Sequence, residues 1–276
     1  MDVRVFADNI RIKQMDTQEL RHVFLVEKLF QSGMVNLVYS DTERAIVGGA
    51  IPINKPLVLK GSKELASESF NERRETGIIN LGGDGKIQIN EDTYLLDRLD
   101  CLYVGRGVKT IRLYSENPQK PAEFYVLSYP AHKAYSVKKI SQKEVNRIDL
   151  GSDESCNKRT IFQYIRPGLC PSCQLVMGLT TLAPGSNWNT MPPHTHARRT
   201  EIYLYFDLKE NNRVFHFMGE PHETRHLVIK NKEVVLSPSW SIHAGVGTSN
   251  YSFVWGMGGE NQDFDDMDFI EIQTIK

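Results

Sequence analysis

Two histidines and a glutamate lie close together in the segment MPPHTHARRTE, which spans residues 191 to 201. Side chains two residues apart on an extended strand point to the same face, so His194 and His196 can direct both imidazoles at one point. Glu201 opens the alternating run EIYLYFDL and would bring its carboxylate back to the same polar space. Imidazole and carboxylate groups at this spacing are typical of a metal site.

A fourth ligand is expected from the later segment PSWSIHAGVG, where the glycines after His243 allow a tight bend. Three imidazoles and one carboxylate suit zinc, nickel, iron(II) or manganese(II), and they leave room for water or substrate. The alternative interpretation is that His194 and His196 are solvent-facing turn residues and that His243 packs against Trp240.

The segment HETRH, residues 222 to 226, is a rival motif because it matches the pattern of zinc peptidases. That pattern binds metal only on a helix, where its two histidines share a face. Here Pro221 precedes the motif and a β-branched run follows it, which favours a strand or loop. We therefore expect His222 and His226 not to bind the ion, and we place Glu223 on a loop at the rim of the cavity.

The same part of the chain supplies candidate groups for moving a proton. Tyr203 and Tyr205 alternate with apolar residues and would face the same interior as Glu201. Glu223, from the following loop, is a third candidate base. The residue types do not rank these three.

Arg198 and Arg199, between the proposed ligands, are candidates for binding a substrate carboxylate through a guanidinium group. Adjacent residues in an extended bend tend to point apart, so at most one of them is expected to reach the cavity. The alternative is that both arginines make surface or subunit contacts.

Strands are predicted to position these groups. Short apolar or alternating runs recur between turn residues along the chain of 276 residues, among them GIINLGG, GKIQIN, EIYLYFDL, RVFHFMGE and YSFVWGMGG. One sizeable helix is predicted within DTQELRHVFLVEKLF, capped by Asp16 or Thr17. Many short strands at this spacing predict an all-β fold of barrel or jelly-roll domains with few short helices.

The two halves of the chain resemble each other. RRETGIINLGGDGKIQIN in the first half corresponds to RRTEIYLYFDLKENNRVFHF in the second, and DCLYVGRGVKTIRLYSEN corresponds loosely to EVVLSPSWSIHAGVGTSNYSFVW. This similarity predicts two related β-domains, which we assign to residues 1–140 and 141–276. The first half keeps an Arg-Arg-Glu but has no His-x-His, so we expect the metal only in the second.

Composition narrows the class of partner. With 33 basic and 34 acidic residues, the chain has no strong field for nucleic acid or an anionic membrane. It contains no apolar run of about 20 residues and no secretory leader pattern, so a cytoplasmic location is expected. Four irregularly spaced cysteines do not predict a disulfide framework, and we expect Cys173 of the CPSC segment to begin a buried strand.

The order His-x-His-x4-Glu, followed by a distant histidine before a glycine-rich bend, resembles the two motifs of the cupin superfamily. Within that superfamily, three segments are similar to the family of 5-keto-4-deoxyuronate isomerases, and the similarity spans essentially the whole chain. They are FNERRETGIINLGG, GSNWNTMPPHTHARRTEIYLYFDL and PSWSIHAGVGTSNYSFVWGMGGENQDFDDMD.

The resemblance implies a two-domain cupin with one Zn2+ per subunit, held by His194, His196, Glu201 and His243. It also implies a homohexamer that isomerises a small keto-uronate during the breakdown of pectin-derived uronates, by interconverting an aldehyde beside a hydroxyl with the corresponding ketone. Two alternatives remain: an iron-dependent cupin dioxygenase, which would use the same ligands, and a non-catalytic sugar-binding cupin, which would need no base.

Overall fold

The computed structural model describes residues 1–260 and 266–276, so residues 261–265 of the quoted segment GENQDFDDMD lie outside the described residues. Strands dominate the described part, which contains one α-helix, α1 (Thr17–Phe24), and two short 3₁₀ helices, Arg11–Gln14 and Ile272–Thr274. None of the helices in that part is long and apolar enough to cross a membrane. The predicted all-β class is confirmed.

The strands are short, and most connect to their neighbours by turns. The first twelve are β1 (Asp2–Arg4), β2 (Leu25–Val26), β3 (Val35–Ser40), β4 (Ile46–Ala50), β5 (Leu57–Leu59), β6 (Arg74–Asn80), β7 (Gly85–Ile89), β8 (Asp92–Leu96), β9 (Cys101–Val104), β10 (Ile111–Ser115), β11 (Phe124–Pro130) and β12 (Lys138–Ile140). The next twelve are β13 (Asn146–Leu150), β14 (Arg159–Ile165), β15 (Val176–Leu182), β16 (Trp188–Asn189), β17 (His194–Thr195), β18 (Arg199–Phe206), β19 (Val214–Glu220), β20 (Glu223–Ile229), β21 (Val234–Ser237), β22 (Ala244–Gly247), β23 (Ser252–Gly259) and β24 (Asp268–Phe269).

The described chain forms two compact units that are not contiguous in sequence. Unit 1 comprises Met1–Arg4, Lys28–Val145 and Tyr164–Val176, and unit 2 comprises Val5–Glu27, Asn146–Gln163 and Met177–Lys276. The contiguous division into residues 1–140 and 141–276 remains a prediction about the domains.

Each unit contains a seven-stranded and a four-stranded sheet. In unit 1 the strand orders are β1-β3-β4-β11-β6-β9-β12 and β5-β10-β7-β8. In unit 2 they are β13-β14-β15-β23-β18-β21-β2 and β16-β22-β19-β20, beside a small β17-β24 pair. Apolar side chains from both sheets of unit 1, such as Ile78, Leu102 and Ile111, form its buried core, which is typical of a β-sandwich.

Strand order confirms the predicted internal similarity, because β6 and β18, like β11 and β23, hold the same places in their sheets. The pairing register of these strands also identifies which individual residues of the two units are equivalent. Arg74 pairs with the last residue of β11, and Arg199 pairs with the last residue of β23. Arg74 is therefore equivalent to Arg199, and Thr76 is equivalent to Glu201.

The predicted helix is confirmed by α1, although it is shorter than the quoted segment. Asp16 caps it through a carboxylate that accepts the Glu19 N–H at 2.8 Å, while the Glu19 carboxylate accepts the Asp16 N–H at 3.0 Å. Leu20 and Phe24 are buried. The helix ends there because Leu25 extends and pairs with β21, which joins the N-terminal segment to the sheet of unit 2.

A buried carboxylate in unit 1, that of Glu75, fixes the loop before β15. Its Oε1 accepts the N–H groups of Gln174 at 2.7 Å and Leu175 at 2.8 Å, and its Oε2 accepts the Cys173 N–H at 2.7 Å and the Tyr103 hydroxyl at 2.8 Å. These four bonds satisfy a charge whose burial would otherwise be costly. The prediction that Cys173 begins a strand is wrong, because its N–H is held by Glu75 and β15 starts later.

Replacing this carboxylate by an amide should destabilise the protein. In Glu75→Gln one oxygen acceptor becomes an NH2 group that faces backbone donors, so we expect the free energy of unfolding to fall by about 3 kcal/mol in urea titrations. The matched control is Glu91→Gln in the exposed turn after β7, which should change stability by less than about 0.5 kcal/mol. Equal effects of the two substitutions would contradict the assigned role of Glu75.

Candidate metal centre

Four side chains gather in a buried cluster in unit 2: His194, His196, Glu201 and His243. Their candidate ligand atoms all lie within 4.8 Å of one another. The Glu201 Oε2 atom is 3.0 Å from His196 Nε2 and 2.9 Å from His243 Nε2. His243 Nε2 is also 2.8 Å from His194 Nε2. The structure thus brings together the four residues that the sequence spacing selected.

Short strands and one loop position these groups. His194 begins β17 and His196 follows that strand by one residue, with the two ring centroids 5.5 Å apart. Glu201 is the third residue of β18, where strand alternation turns it to the same face as Tyr203. His243 immediately precedes β22, so a strand of the smaller sheet closes the site from the other side.

Backbone contacts fix which ring nitrogens face the cluster. His196 donates its Nδ1–H to the Arg199 carbonyl at 2.9 Å, and His243 donates its Nδ1–H to the Ser241 carbonyl at 3.3 Å. A carbonyl oxygen only accepts, so the Nε2 atom of each neutral ring carries a lone pair. Both lone pairs point at Glu201 Oε2, which is itself an acceptor. A cation between them would satisfy all three groups.

The electrostatics of the cluster suit a metal ion. Burial, followed by the effect of His243, lowers the pKa of His194 to about 3. Burial alone would raise the pKa of Glu201, but His243 and His196 outweigh burial and hold that pKa well below its usual value. A neutral His194 imidazole and an ionised Glu201 carboxylate are the protonation states that metal binding requires of these two ligands. The four donors therefore fit a divalent cation of the zinc class.

Neutral polar groups line the space beside the ligands. The Tyr203 hydroxyl is 3.2 Å from Thr190 Oγ1, and the Tyr205 hydroxyl is 2.7 Å from His216 Nδ1. Burial raises the pKa of both tyrosines and lowers the pKa of His216 to about 3, so all three rings are uncharged near neutral pH. His216 Nε2 is buried and has no hydrogen-bond partner among the described residues.

Sequence reasoning did not identify His216 or Arg159. A signal for His216 was available, because alternation along β19 places it on the same buried face as Val214. Arg159 begins β14 and is half-buried; burial lowers its pKa, while the phenols of Tyr203 and Tyr251 act in the opposite direction. No sequence pattern could have linked Arg159 to these phenols, because β14 lies far from the motif.

The two arginines between the ligands share one partner. The buried Arg199 places Nη1 2.5 Å from Asp266 Oδ1, and the exposed Arg198 places Nε 2.9 Å from Asp266 Oδ2. Their burial differs, as expected for neighbours in an extended segment, yet both side chains reach the same carboxylate. The sequence analysis did not identify Asp266 as their partner.

Residues 223–226 of the rival motif HETRH lie on β20, which pairs with β19 along its whole length, so the motif is not helical, as predicted. The placement of Glu223 on a loop is wrong, because Glu223 begins this strand and pairs with Glu220. His222 donates its Nδ1–H to the Thr274 carbonyl at 2.9 Å, and the His226 side chain is exposed. Glu223, one of the three candidate bases, is exposed and accepts a hydrogen bond from Arg225 at 2.8 Å. The contacts of this segment do not include the four clustered ligands.

Two β-sandwich units of equal strand order, one of them with a buried His₃Glu cluster, define the class of two-domain cupins. An IolB-like protein from Salmonella typhimurium LT2 has a TM-score of 0.71 with 13% identity, over 90% of this chain and 96% of its own. Oxalate decarboxylase from Bacillus subtilis has a TM-score of 0.59 with 10% identity, over 87% and 78% of the two chains. At such low identity these likenesses establish the fold alone.

The family model described as KduI/IolB matches residues 24–272, and the chain belongs to this family. Relatives named 4-deoxy-L-threo-5-hexosulose-uronate ketol-isomerase match it over their full length. The protein from Shouchella clausii is 49% identical, that from Lachnoclostridium phytofermentans 50% and that from Salmonella typhimurium 48%, in each case over 100% of both chains.

Removing a clustered histidine should release the metal, whereas removing a histidine of HETRH should not. His194→Ala and His243→Ala each delete one donor, so we expect metal affinity to fall by at least about 100-fold. Metal content after dialysis against a weak chelator is the measurement, with His222→Ala and His226→Ala as matched controls. Loss of metal in His222→Ala and His226→Ala, with metal kept in His194→Ala and His243→Ala, would assign the metal site to HETRH instead.

Stability of the metal-stripped protein should fall as the pH is lowered from 6.5 to 5. His194 and His216 have pKa values of about 3 in the native state, mainly because they are buried, against 6.5 when exposed. In this window the unfolded chain binds a proton at each residue that the native protein does not, at about 1.4 kcal/mol per pH unit for each histidine at most. Urea unfolding at several pH values measures the slope, and a slope unchanged in His216→Gln would contradict this account.

Proposed function

We propose that this protein is a 4-deoxy-L-threo-5-hexosulose-uronate ketol-isomerase. It would convert 5-dehydro-4-deoxy-D-glucuronate to 3-deoxy-D-glycero-2,5-hexodiulosonate in the degradation of pectin-derived uronates. Full-length relatives that carry this name at 48 to 50% identity support the assignment. The observation that carries the mechanism is the buried His₃Glu cluster beside uncharged tyrosine and histidine side chains.

The reaction moves hydrogen between neighbouring carbons, so it needs stabilisation of negative charge and a group that holds the proton. A divalent ion at His194, His196, Glu201 and His243, which we propose to be zinc, supplies Lewis-acid stabilisation of charge on the substrate oxygens. Glu201 is not suited to be the base, because its carboxylate is committed to His196 and His243.

We assign the proton transfer to the Tyr205–His216 pair. In the tautomer whose Nδ1–H donates to Tyr205 Oη, His216 Nε2 presents a buried lone pair that can accept a proton. Tyr203 stays protonated because burial raises its pKa, so its hydroxyl can donate a hydrogen bond to a substrate oxygen. Glu223 has no part in this proposal, because it is exposed and bound to Arg225.

An arginine is expected to hold the substrate carboxylate. Arg198 and Arg199 are both bound to Asp266, so a substrate would have to compete for them. Arg159 is half-buried, interacts electrostatically with the phenol of Tyr203 and has no carboxylate partner among the described residues; its Nη1 donates to the Asn157 carbonyl at 2.9 Å. We therefore rank Arg159 above the two arginines of the motif.

The proposal also includes the identity of the metal, the oligomeric state of the protein and its location in the cell. Zinc and a homohexamer follow from the family resemblance, and a cytoplasmic location follows from the sequence analysis. These three points remain predictions. Metal analysis of the purified protein and its mass in solution would test the first two.

The activity can be tested directly with 5-keto-4-deoxyuronate generated from unsaturated galacturonate. We expect the metal-replete protein to convert it, with product followed by NMR in deuterated water, and we expect a chelator to stop the conversion. Deuterium at the carbon that gains hydrogen would indicate a proton exchanged with solvent. Its absence would favour direct transfer between the two carbons, and no conversion at all would reject the isomerase.

Variants of the proton-carrying pair refine the same experiment. Tyr205→Phe and His216→Gln should each lower kcat about 100-fold while leaving metal content unchanged, because general acid–base groups contribute at about this level. Tyr94→Phe, at a half-buried position on β8 of unit 1, is the matched control and should leave kcat unchanged. Full activity in both variants would show that neither Tyr205 nor His216 transfers the proton.

A further inference from the structure

Unit 1 has neutral residues where unit 2 has its metal ligands. Asn71 and Thr76 are five residues apart, as His196 and Glu201 are, and Thr76 lies at the position equivalent to Glu201. The Thr76 hydroxyl donates to Asn71 Oδ1 at 2.6 Å, and the Asn71 amide donates to a β9 carbonyl at 3.0 Å. Neutral hydrogen bonds satisfy the polar groups of this network. The charged side chain next to it is Arg74, which shares Ser128 with Thr76.

The guanidinium of Arg74 is buried among neutral acceptors. Its Nε donates to Ser128 Oγ at 3.1 Å, and its Nη2 donates to the carbonyls of Ser128 at 2.8 Å and Arg44 at 2.6 Å. Its Nη1 has no hydrogen-bond partner, and no carboxylate pairs with it, among the described residues. Burial lowers the pKa of Arg74 to about 10, as expected for a cation without a counterion.

The equivalent arginine of unit 2 has a carboxylate partner, which Arg74 lacks among the described residues. Arg199 occupies the same register position and is also buried, but its Nη1 lies 2.5 Å from Asp266 Oδ1. The chain therefore supplies an anion to the buried arginine of unit 2. In the described part of unit 1 it supplies none to Arg74, although the cost of burying the charge is the same in kind.

A cavity of about 240 Å³ lies beside Arg74. Its polar lining consists of Arg74, Arg44, Arg73, Tyr39, Ser67 and Glu64. The Arg44 side chain is exposed and close enough to Arg74 to lower its pKa by repulsion between like charges. Ser67 Oγ is buried without a hydrogen-bond partner among the described residues. Glu64 is directed instead to the N-terminal ammonium of Met1, at 3.9 Å.

We propose that this cavity binds a small anionic sugar derivative through its carboxylate or phosphate group. Arg74 Nη1 and the Arg44 guanidinium would hold the oxyanion, since two neighbouring guanidinium groups that pair with no carboxylate among the described residues favour an external anion. The hydroxyls of Ser67 and Tyr39 would contact the sugar. The volume suits one monosaccharide rather than a polymer. Unit 1 would thus hold a binding site beside the arginine that is equivalent to Arg199 of unit 2.

Isothermal titration of the full-length, metal-replete protein tests this site with D-galacturonate, D-glucose 6-phosphate and inorganic phosphate. Neutral methyl galactoside is the control ligand. We expect saturable binding of at least one anion and none of the neutral glycoside. Preference for galacturonate assigns a carboxylate ligand, and preference for the phosphates assigns a phosphate ligand.

Variants separate this cavity from the metal centre. Arg44→Gln, at an exposed position, and Arg74→Lys should each weaken anion binding by about tenfold, because each removes a charge-assisted contact. Arg112→Gln, on β10 outside the cavity, should bind as the unaltered protein does. His243→Ala should also keep the binding. Anion binding that is lost in His243→Ala and kept in Arg44→Gln and Arg74→Lys, or absent altogether, would overturn the proposal.

Discussion

Three imidazole nitrogens and a carboxylate oxygen converge in a buried space, and a bound cation would satisfy all four of them. His243 Nε2 lies 2.8 Å from His194 Nε2 and 2.9 Å from Glu201 Oε2, and backbone carbonyls hold the Nδ1 protons of His196 and His243 on the far side of each ring. Lone pairs at these distances repel strongly at low dielectric. The alternation of β18, the short β17 and the loop before β22 all serve to hold these atoms in place.

The two units show how a one-residue difference changes what a glutamate does. Both equivalent strands begin at the second of two successive arginines, followed by Glu75 directly in unit 1 and by Glu201 one residue later in unit 2. Successive strand residues face opposite sides of a sheet, so this shift sends Glu75 away from the interior. There its carboxylate accepts backbone N–H groups from a loop, while Glu201 faces the histidines. Similar sequences therefore yield a structural anchor in one unit and a proposed ligand in the other.

The sequence predicted structural features correctly where they depend on a local pattern of residues. Alternation predicted the strands and the shared face of Glu201 and Tyr203, and Pro221 with the β-branched run after HETRH predicted β20 correctly. The sequence did not predict contacts between residues that are far apart in the chain. Asp266 reaches Arg199 from a distant segment, and β2 joins unit 2 by pairing with β21 across about two hundred residues, so neither local spacing nor propensity indicates them.

Selectivity for an acidic sugar can arise inside the site, because the chain as a whole offers no steering field. Its formal net charge is −1. Within the cluster, Glu201 contributes one negative charge, while Tyr203, Tyr205 and His216 stay neutral because burial disfavours their charged forms. A divalent ion would leave these ligands with one net positive charge, and Arg159 adds another at the edge. In a dry interior such charges act far more strongly than on a surface, so an anionic keto-uronate is favoured over a neutral sugar of the same shape.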